Sequence, residues 1–271
     1  MFSKKHSLAH TESYGESPVV VYFPSGTPEH HGNFCPEAYG AICANPEWKR
    51  RLGKIHPQAR TTLPRAERRW CELDSSASSD ALLLNIFCHP DTLSSHAASS
   101  MLNLECGAVP EFGFRARVPL SNGHGDRTEV DMRLDSLLVE AKLTETDFQQ
   151  RAKAVVEGYR DFQTVFERKL LPQSKDCYSG YQLIRNVLAA YATEASFCVL
   201  LDARRPDLLE QWYAVMRAVR TSEMRVRCKV LTWQELSSLL SPDLQSFLDE
   251  KYGIVPPGTM PSPVSLDNTH E

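Results

Sequence analysis

Two short segments in the middle of the chain alternate in a strand-like way on either side of a turn. Residues 129–133 alternate polar and apolar side chains, residues 134–136 have turn composition, and residues 137–142 begin apolar and end charged. The pattern predicts a β-hairpin. Because side chains alternate across a strand, Glu140 and Lys142 project from one face, and antiparallel pairing places Asp131 beside Glu140.

The segments before the hairpin are predicted to be mainly helical. Serines ahead of an apolar face predict a helix over residues 75–89, which ends before Pro90, and a second helix is predicted over residues 93–104. A helical piece is predicted over residues 36–52 and a short strand over residues 19–23. Residues 111–120 alternate like a strand, and the side chains that share one face are Phe112, Phe114, Ala116 and Val118.

The segments after the hairpin combine helical spacing with two apolar runs. A capping-box pattern at Thr146 and Gln149 begins a helix that ends before Pro172, with apolar residues Phe148, Ala152, Val155, Tyr159, Phe162 and Phe166 at helical spacing. A helix over residues 180–193 is predicted to bury Ile184, Val187, Leu188 and Tyr191. Residues 195–202 read as a buried strand beside the hairpin. A helix over 206–220, a strand over 225–232 and a helical stretch over 233–252, broken at Pro242, follow.

Length and composition describe a globular protein. The chain has 271 residues, of which 42% are hydrophobic and 24% charged, enough to bury a sizeable core. We expect one domain over residues 29–254, a weakly ordered segment over residues 1–28 and a disordered tail over residues 255–271. No apolar run has the length of a membrane span and the first residues lack a signal-peptide core, so we expect a cytoplasmic protein without a membrane partner.

The charged end of the hairpin has a specific chemical use. Two carboxylates can hold Mg²⁺ and leave coordination positions for water and phosphate oxygens. The metal ion lowers the pKa of a bound water and neutralises charge on a phosphoryl group, and a nearby lysine orients that water or stabilises the developing charge. Asp131, Glu140 and Lys142 therefore predict a site for phosphodiester hydrolysis. The alternative is an ordinary hairpin whose charged end is solvated.

Asp131, followed after eight residues by Glu140-Ala141-Lys142, resembles the D…(D/E)xK signature of the PD-(D/E)XK nuclease superfamily. Val130 stands where the signature usually has proline. The resemblance implies an α/β restriction-endonuclease-like core, αβββαβ, with a mixed central sheet flanked by helices and with N-terminal and C-terminal α/β extensions. It also implies a nuclease dependent on Mg²⁺ (or Mn²⁺), in which Asp131 and Glu140 bind the metal and Lys142 assists the attacking water.

The resemblance leaves two other interpretations open. One is a catalytically silent nuclease fold that binds nucleic acid or serves as an assembly module, and the other is an unrelated α/β enzyme with a chance motif. The expected partner is nucleic acid, with DNA favoured over RNA. A homodimer is compatible with the sequence, which defines neither the oligomeric state nor endonuclease versus exonuclease action.

Further site residues follow from the resemblance. Relatives often contribute an acid from an early helix to the metal site. Asp80 is the best-placed candidate, with Glu72 and Glu105 as rivals. The alternative role for Asp80 is plain capping, in which an acid in the first helical turn interacts favourably with the helix dipole. Relatives also place a Gln or Arg from the following helix near the active site. Gln182 and Arg185 are the candidates here. They share one helix face with Asn186, and a polar helix surface is the alternative.

The net charge of −4 gives the chain no overall attraction to a polyanion, so nucleic acid must be held by local basic patches. Basic residues cluster ahead of the first long helix, and those predicted to contact phosphate are Lys49, Arg50, Arg51, Arg68 and Arg69, with Arg185 as a further candidate. The alternative is that these side chains pair with nearby acids such as Glu67 and Glu72 and keep the protein soluble.

Overall fold

The computed structural model describes residues 2–13, 19–22, 30–55 and 71–259. Several predictions concern other residues and lie outside the described part of the chain. They are the phosphate contacts of Arg68 and Arg69, the pairing of Glu67, most of the tail over 255–271 and part of the N-terminal segment over 1–28.

Strands and helices are numbered in chain order. The strands are β1 (His10–Ser13), β2 (Val19–Tyr22), β3 (Pro110–Phe114), β4 (Val118–Pro119), β5 (Gly125–Asp126), β6 (Val130–Leu134), β7 (Leu137–Ala141), β8 (Gln150–Ala152), β9 (Cys177–Ser179), β10 (Ser196–Leu201) and β11 (Cys228–Thr232). The helices are α1 (Phe2–Lys5), α2 (Pro36–Ala44), α3 (Pro46–Arg51), α4 (Ser79–Phe87), α5 (His96–Leu102), α6 (Lys153–Val156), α7 (Phe162–Val165), α8 (Tyr181–Ala192), α9 (Pro206–Met216), α10 (Ser222–Val226), α11 (Trp233–Ser237) and α12 (Pro242–Tyr252).

The centre of the fold is a five-stranded mixed sheet with the order β11-β10-β7-β6-β3. The strands β3, β6 and β7 are antiparallel neighbours, whereas β10 is parallel to both β7 and β11. The predicted hairpin is confirmed as β6 and β7, with Met132 opposite Val139 and Leu134 opposite Leu137. The predicted strand over residues 195–202 is confirmed as β10, and its buried side chains explain the continuous apolar run.

The sheet is covered on both faces. The side chains of Met132, Leu134, Val139 and Leu200 join a core with helices α2, α4, α11 and α12. Leu138 of β7 and Phe197, Val199 and Leu201 of β10 alternate with these positions and join a second core with α8 and α9 on the other face. The predicted order of helix, three strands, helix and strand is therefore present as α4, β3, β6, β7, α8 and β10. None of the described helices combines the length and the apolar character needed to cross a membrane.

The predicted helix from Thr146 to before Pro172 is wrong. Residues 150–152 form strand β8, which pairs with β9, and only short helices α6 and α7 follow. Gln149 has a left-handed backbone conformation (φ 62°), which directs the chain into the β8–β9 pair. Phe148, Phe162 and Phe166 are buried, yet Val155 is 45% exposed. Pairing with a distant strand therefore overrode a pattern that was locally helical.

Two other predicted elements are interrupted, one at a residue with a positive φ and one just before a proline. The predicted strand over residues 111–120 breaks into β3 and β4, because Arg117 has a positive φ of 50°. The predicted helix over residues 36–52 breaks at Asn45, whose side chain caps α3 just before Pro46.

Two further differences appear in the second half of the chain. The predicted strand over residues 225–232 begins with helix α10 and is extended only from Cys228. The helix predicted over residues 180–193 is confirmed as α8, and Ile184, Val187 and Leu188 are fully buried. Tyr191, predicted to be buried as well, is 37% exposed.

Candidate active site

Glu140 and Lys142 form a buried ion pair at the end of β7. The Lys142 Nζ lies 2.9 Å from Glu140 Oε1, and both side chains are almost completely shielded from solvent. The Lys142 backbone is fixed on both sides, since its N–H donates to Leu200 O at 2.8 Å and its carbonyl accepts from Trp233 Nε1 at 2.8 Å. The two side chains project from the same face of the strand because they are two residues apart.

Asp131 lies beside this pair across the hairpin. Its Oδ2 accepts a 2.8 Å hydrogen bond from the backbone N–H of Ala141. Burial raises the pKa of the Asp131 carboxyl well above its usual range, and the nearby charges of Glu140 and Asp80 raise it further, while Lys142 acts in the opposite direction. Part of the Asp131 surface still reaches solvent. The structure therefore brings Asp131, Glu140 and Lys142 together at one end of the hairpin.

Lys142 is held in its charged form by the acids around it. Burial alone would lower the pKa of its ammonium, but the negative charges of Glu140, Asp131 and Glu145 outweigh burial and raise that pKa. The Phe148 ring, whose centroid lies 5.5 Å from the Lys142 Nζ, closes another side of the ammonium. The site thus contains a fixed cation between carboxylates.

Asp80 reaches the same site from the first turn of α4. The capping hydrogen bond of that helix comes from Ser78, whose Oγ accepts from Ala81 N–H at 3.1 Å. The Asp80 carboxylate contacts Arg51 Nη2 at 3.1 Å and Lys54 Nζ at 3.4 Å, and its charge acts on Asp131. Of its predicted rivals, Glu72 lies 2.6 Å from Lys54 in the same ion-pair network, and Glu105 is exposed after α5.

Arg51 connects the α3 segment to the hairpin. Besides Asp80 it contacts Glu129 Oε2 at 3.3 Å, and its side chain is only 12% exposed. Glu129 also pairs with Arg115, and although burial opposes its charge, these contacts lower the pKa of the Glu129 carboxyl. Gly113, with a φ of 69°, lies against the Arg51 guanidinium, so a Cβ at this position would collide with it. Arg51 is therefore part of the site's interior.

The helix α8 presents its polar residues to the sheet. Arg185 is 2% exposed and its Nη2 donates to Glu129 O at 2.8 Å. Asn186 is completely buried and its Nδ2 donates to Glu140 Oε2 at 2.7 Å. The interpretation of a polar helix surface is therefore wrong for these two residues. Asn186 was missed as a site residue, although it shares a helix face with Gln182 and Arg185.

Gln182 is close to the site through Phe148. Its backbone N–H donates to Phe148 O at 3.0 Å, and Phe148 is the residue whose ring faces Lys142. The Gln182 Oε1 is buried and has no hydrogen-bond partner within the described part of the chain. The direct role of Gln182 stays a prediction. The phosphate contact of Arg185, which the structure shows to be buried, also stays a prediction.

The remaining basic residues of α3 lie outside the site. Lys49 is exposed, and Arg50 is exposed and pairs with Glu47 of the same helix at 2.7 Å. Of the α3 residues predicted to contact phosphate, these two present their charge to solvent, whereas Arg51 is engaged with acids. Pairing with acids therefore holds for Arg51 and, at the surface, for Arg50, and the phosphate contacts stay predictions.

Whether the site suits a divalent cation can be judged from its oxygen atoms. Within the ranges that the structure describes, no three His, Cys, Asp or Glu side chains form a ready-made metal site. Two carboxylates are close together, however, and the charge of Glu140 adds to burial in raising the pKa of Asp131. The Glu140 Oε1 is buried and, apart from its ion pair with Lys142, accepts no aligned hydrogen bond from a described residue. The carboxylates of Asp131 and Glu140 fit Mg²⁺, which commonly binds one or two carboxylates and completes its coordination shell with water and phosphate.

The mixed five-stranded sheet with helices on both faces defines a restriction-endonuclease-like fold. The model of the family described as "Restriction Endonuclease associating with ARP" matches residues 4–253, so the chain belongs to this family. No curated protein matches the chain, and no solved structure does. The family is consistent with the PD-(D/E)XK superfamily and indicates a nuclease that binds nucleic acid.

Proposed function

We propose that this protein is a Mg²⁺-dependent nuclease, also able to use Mn²⁺, that hydrolyses phosphodiester bonds in DNA. The observation that carries the proposal is the grouping of Asp131, Glu140 and Lys142 at one end of the β6–β7 hairpin. Burial raises the Asp131 pKa, and the charges of Glu140 and Asp80 raise it further, which supports the proposal because a bound divalent cation would relieve the repulsion between these carboxylates.

Each motif residue has a distinct proposed role. Asp131 and Glu140 would supply the carboxylate ligands of the metal ion. Mg²⁺, when bound, lowers the pKa of a water and neutralises phosphoryl charge. The raised pKa of Lys142 supports a role as a fixed cation, since an ammonium cannot accept a proton from water. Lys142 would orient the attacking water and stabilise charge that develops on the phosphate.

The substrate and partners follow from the family and the surface. The family's restriction endonucleases favour DNA as the substrate, and the exposed Lys49 and Arg50 supply cations for phosphate. The family description also names an association with ARP, and we propose such a partner for this chain.

Cleavage assays with matched acid variants test the proposal. The purified protein is incubated with single-stranded and double-stranded DNA and RNA in Mg²⁺, Mn²⁺ or EDTA. We expect metal-dependent cleavage of DNA that Glu140→Ala reduces by at least about 10²-fold, as expected when a group that stabilises the transition state is lost. Glu111→Ala is the control, because Glu111 is an exposed acid on β3 that pairs with Arg133. Equal cleavage by Glu140→Ala and the parent protein would contradict the proposal.

A catalytically silent nucleic-acid-binding module is the second candidate. The observation in its favour is that protein cations already neutralise two of the acids, Lys142 at Glu140 and Arg51 at Asp80. A titration with Mg²⁺ and Mn²⁺ separates the candidates. Saturable metal binding with cleavage supports the nuclease, whereas DNA binding without metal binding or cleavage supports the silent module.

A further inference from the structure

Two consecutive residues of α8 donate hydrogen bonds to the two segments that carry the motif. Arg185 donates to the backbone carbonyl of Glu129, two residues before Asp131, and Asn186 donates to the carboxylate of Glu140. We propose that Asn186 is a positioning residue, which fixes the Glu140 carboxylate for metal binding. This inference rests on the proposed function, in which Glu140 is a metal ligand.

The chemistry of the contact determines which way the Asn186 amide faces. An ionised carboxylate can only accept hydrogen bonds, so the NH₂ end of the amide must point to Glu140. The Asn186 Oδ1 has no hydrogen-bond partner within the described residues, so the bond to Glu140 alone orients the amide. A polar side chain is thus retained on a helix whose neighbouring residues Val187 and Leu188 are fully apolar and buried.

The two oxygens of Glu140 have different neighbours. Asn186 holds Oε2 at 2.7 Å, whereas Oε1 faces Lys142 at 2.9 Å. Together the two contacts orient the carboxylate, and Oε1, which accepts no aligned hydrogen bond from a described residue, is the oxygen that would ligate a metal ion. Groups that hydrogen-bond a ligating carboxylate typically change metal affinity or activity by about 10–100-fold when they are removed.

A matched pair of asparagine variants tests this role. Asn85 of α4 is also completely buried, but it bonds Cys35 N–H, Asn33 O and Ala81 O, not the motif. Asn186→Leu and Asn85→Leu are compared by calorimetric Mg²⁺ titration and by melting temperature. We expect Asn186→Leu to weaken Mg²⁺ binding by about 10–100-fold. Asn85→Leu should lower the melting temperature and leave the Mg²⁺ affinity of the folded protein unchanged.

Two more variants keep the test decisive. Asn186→Ala adds no bulk and is used if Asn186→Leu does not fold, with the same expected loss. Asn186→Gln retains an amide donor and should recover part of the lost affinity, which a purely structural role would not produce.

The outcomes separate the inference from the function on which it rests. If Glu140→Ala abolishes Mg²⁺ binding while Asn186→Leu and Asn186→Ala bind as tightly as the parent, the inference fails and the proposed function stands. An equal loss of affinity in Asn85→Leu would likewise overturn it, because the effect would then reflect general destabilisation. A parent protein that binds neither Mg²⁺ nor Mn²⁺ overturns both.

Discussion

The backbone N–H of Ala141 donates a 2.8 Å hydrogen bond to the Asp131 side chain across the β6–β7 hairpin. The ladder pairs Met132 with Val139, and the bond from Ala141 to Asp131 lies just beyond this pair. One oxygen of Asp131 is therefore satisfied by the strand that carries Glu140 and Lys142. Two carboxylates are thus held close together even though their charges repel.

The first prediction is that Asp131→Asn stabilises the metal-free protein at high pH. The pKa of Asp131 is raised in the folded state by burial and by Glu140 and Asp80. A carboxyl with a raised pKa contributes most stability below its unfolded pKa, about 3.9, and this contribution is lost as pH rises through the folded pKa. Asparagine keeps the acceptor for Ala141 without the charge. In EDTA, we expect a higher melting temperature than the parent's at pH 8 and a smaller difference at pH 4.

Added Mg²⁺ provides the control for this prediction. It should raise the melting temperature of the parent protein, which gains a ligand for its paired carboxylates, and raise that of Asp131→Asn much less. A variant that is less stable than the parent at pH 8 in EDTA would show that the Asp131 charge is compensated in the apo protein.

A second prediction concerns Lys142→Met. The substitution leaves Glu140 buried without its cation, which should reduce the free energy of unfolding of the apo protein by about 3–5 kcal/mol. Mg²⁺ binding should persist, because an ammonium is not a metal ligand, whereas the cleavage rate should fall by about 10²–10³-fold. Denaturant titrations and single-turnover assays measure the two effects.

Lys229→Met is the matched control for Lys142→Met. Lys229 is a half-buried lysine on β11 that donates to Leu102 O at 2.9 Å, with no place in the motif. Its substitution should leave the cleavage rate of the folded protein unchanged. If Lys142→Met cleaves as fast as Lys229→Met, the catalytic role of Lys142 is wrong.

The hairpin and the motif could be predicted because their signals are local. The alternation of polar and apolar residues, the turn sequence and the three motif residues Asp131, Glu140 and Lys142 all lie within residues 129–142. The burial of Arg185 and Asn186 could not be predicted in this way, because it depends on contacts with residues far away in the sequence. A polar residue on a helix is usually exposed, and only the packing of α8 against β7 shows that Glu140 is the partner of Asn186.

The same distinction explains the error over residues 146–171. Of the apolar residues at helical spacing, Phe148, Tyr159, Phe162 and Phe166 are buried, whereas Ala152 and Val155 are exposed. The secondary structure of this segment depends on the pairing of β8 with β9, a strand that lies beyond α7 in the sequence and outside any local window. Long-range strand pairing is the information that periodicity lacks.

The third prediction separates Arg51 from its neighbour Arg50. Arg51→Met leaves the buried Asp80 with Lys54 as its remaining cation among the described residues, so we expect the free energy of unfolding to fall by about 1–3 kcal/mol. Arg50→Met is the control, since an exposed pair within one helix contributes about 0.5 kcal/mol or less. Urea titrations of Arg51→Met, Asp80→Asn and the double variant give the coupling energy. Additive effects would contradict a direct interaction between Arg51 and Asp80.

The last prediction concerns how a chain of net charge −4 holds a polyanion. Each cation that neutralises a phosphate of duplex DNA contributes about 0.9 to the slope of log affinity against log salt concentration. Lys49 and Arg50 are exposed, and Arg68 and Arg69 belong to the same basic cluster in the sequence. Arg51 is omitted because its guanidinium is engaged with Asp80 and Glu129.

We expect the combined Ser variant of Lys49, Arg50, Arg68 and Arg69 to bind DNA more weakly. Its salt slope should be smaller by about 0.9 for each phosphate that the protein no longer neutralises. The control changes two exposed lysines, Lys169→Ser and Lys175→Ser, which lower the net charge away from α3. Because none of the substituted residues is a proposed metal ligand, Mg²⁺ affinity should be unchanged in both variants. Fluorescence anisotropy at several salt concentrations measures the slope, and an unchanged slope in the α3 variant would mean that these cations serve only solubility.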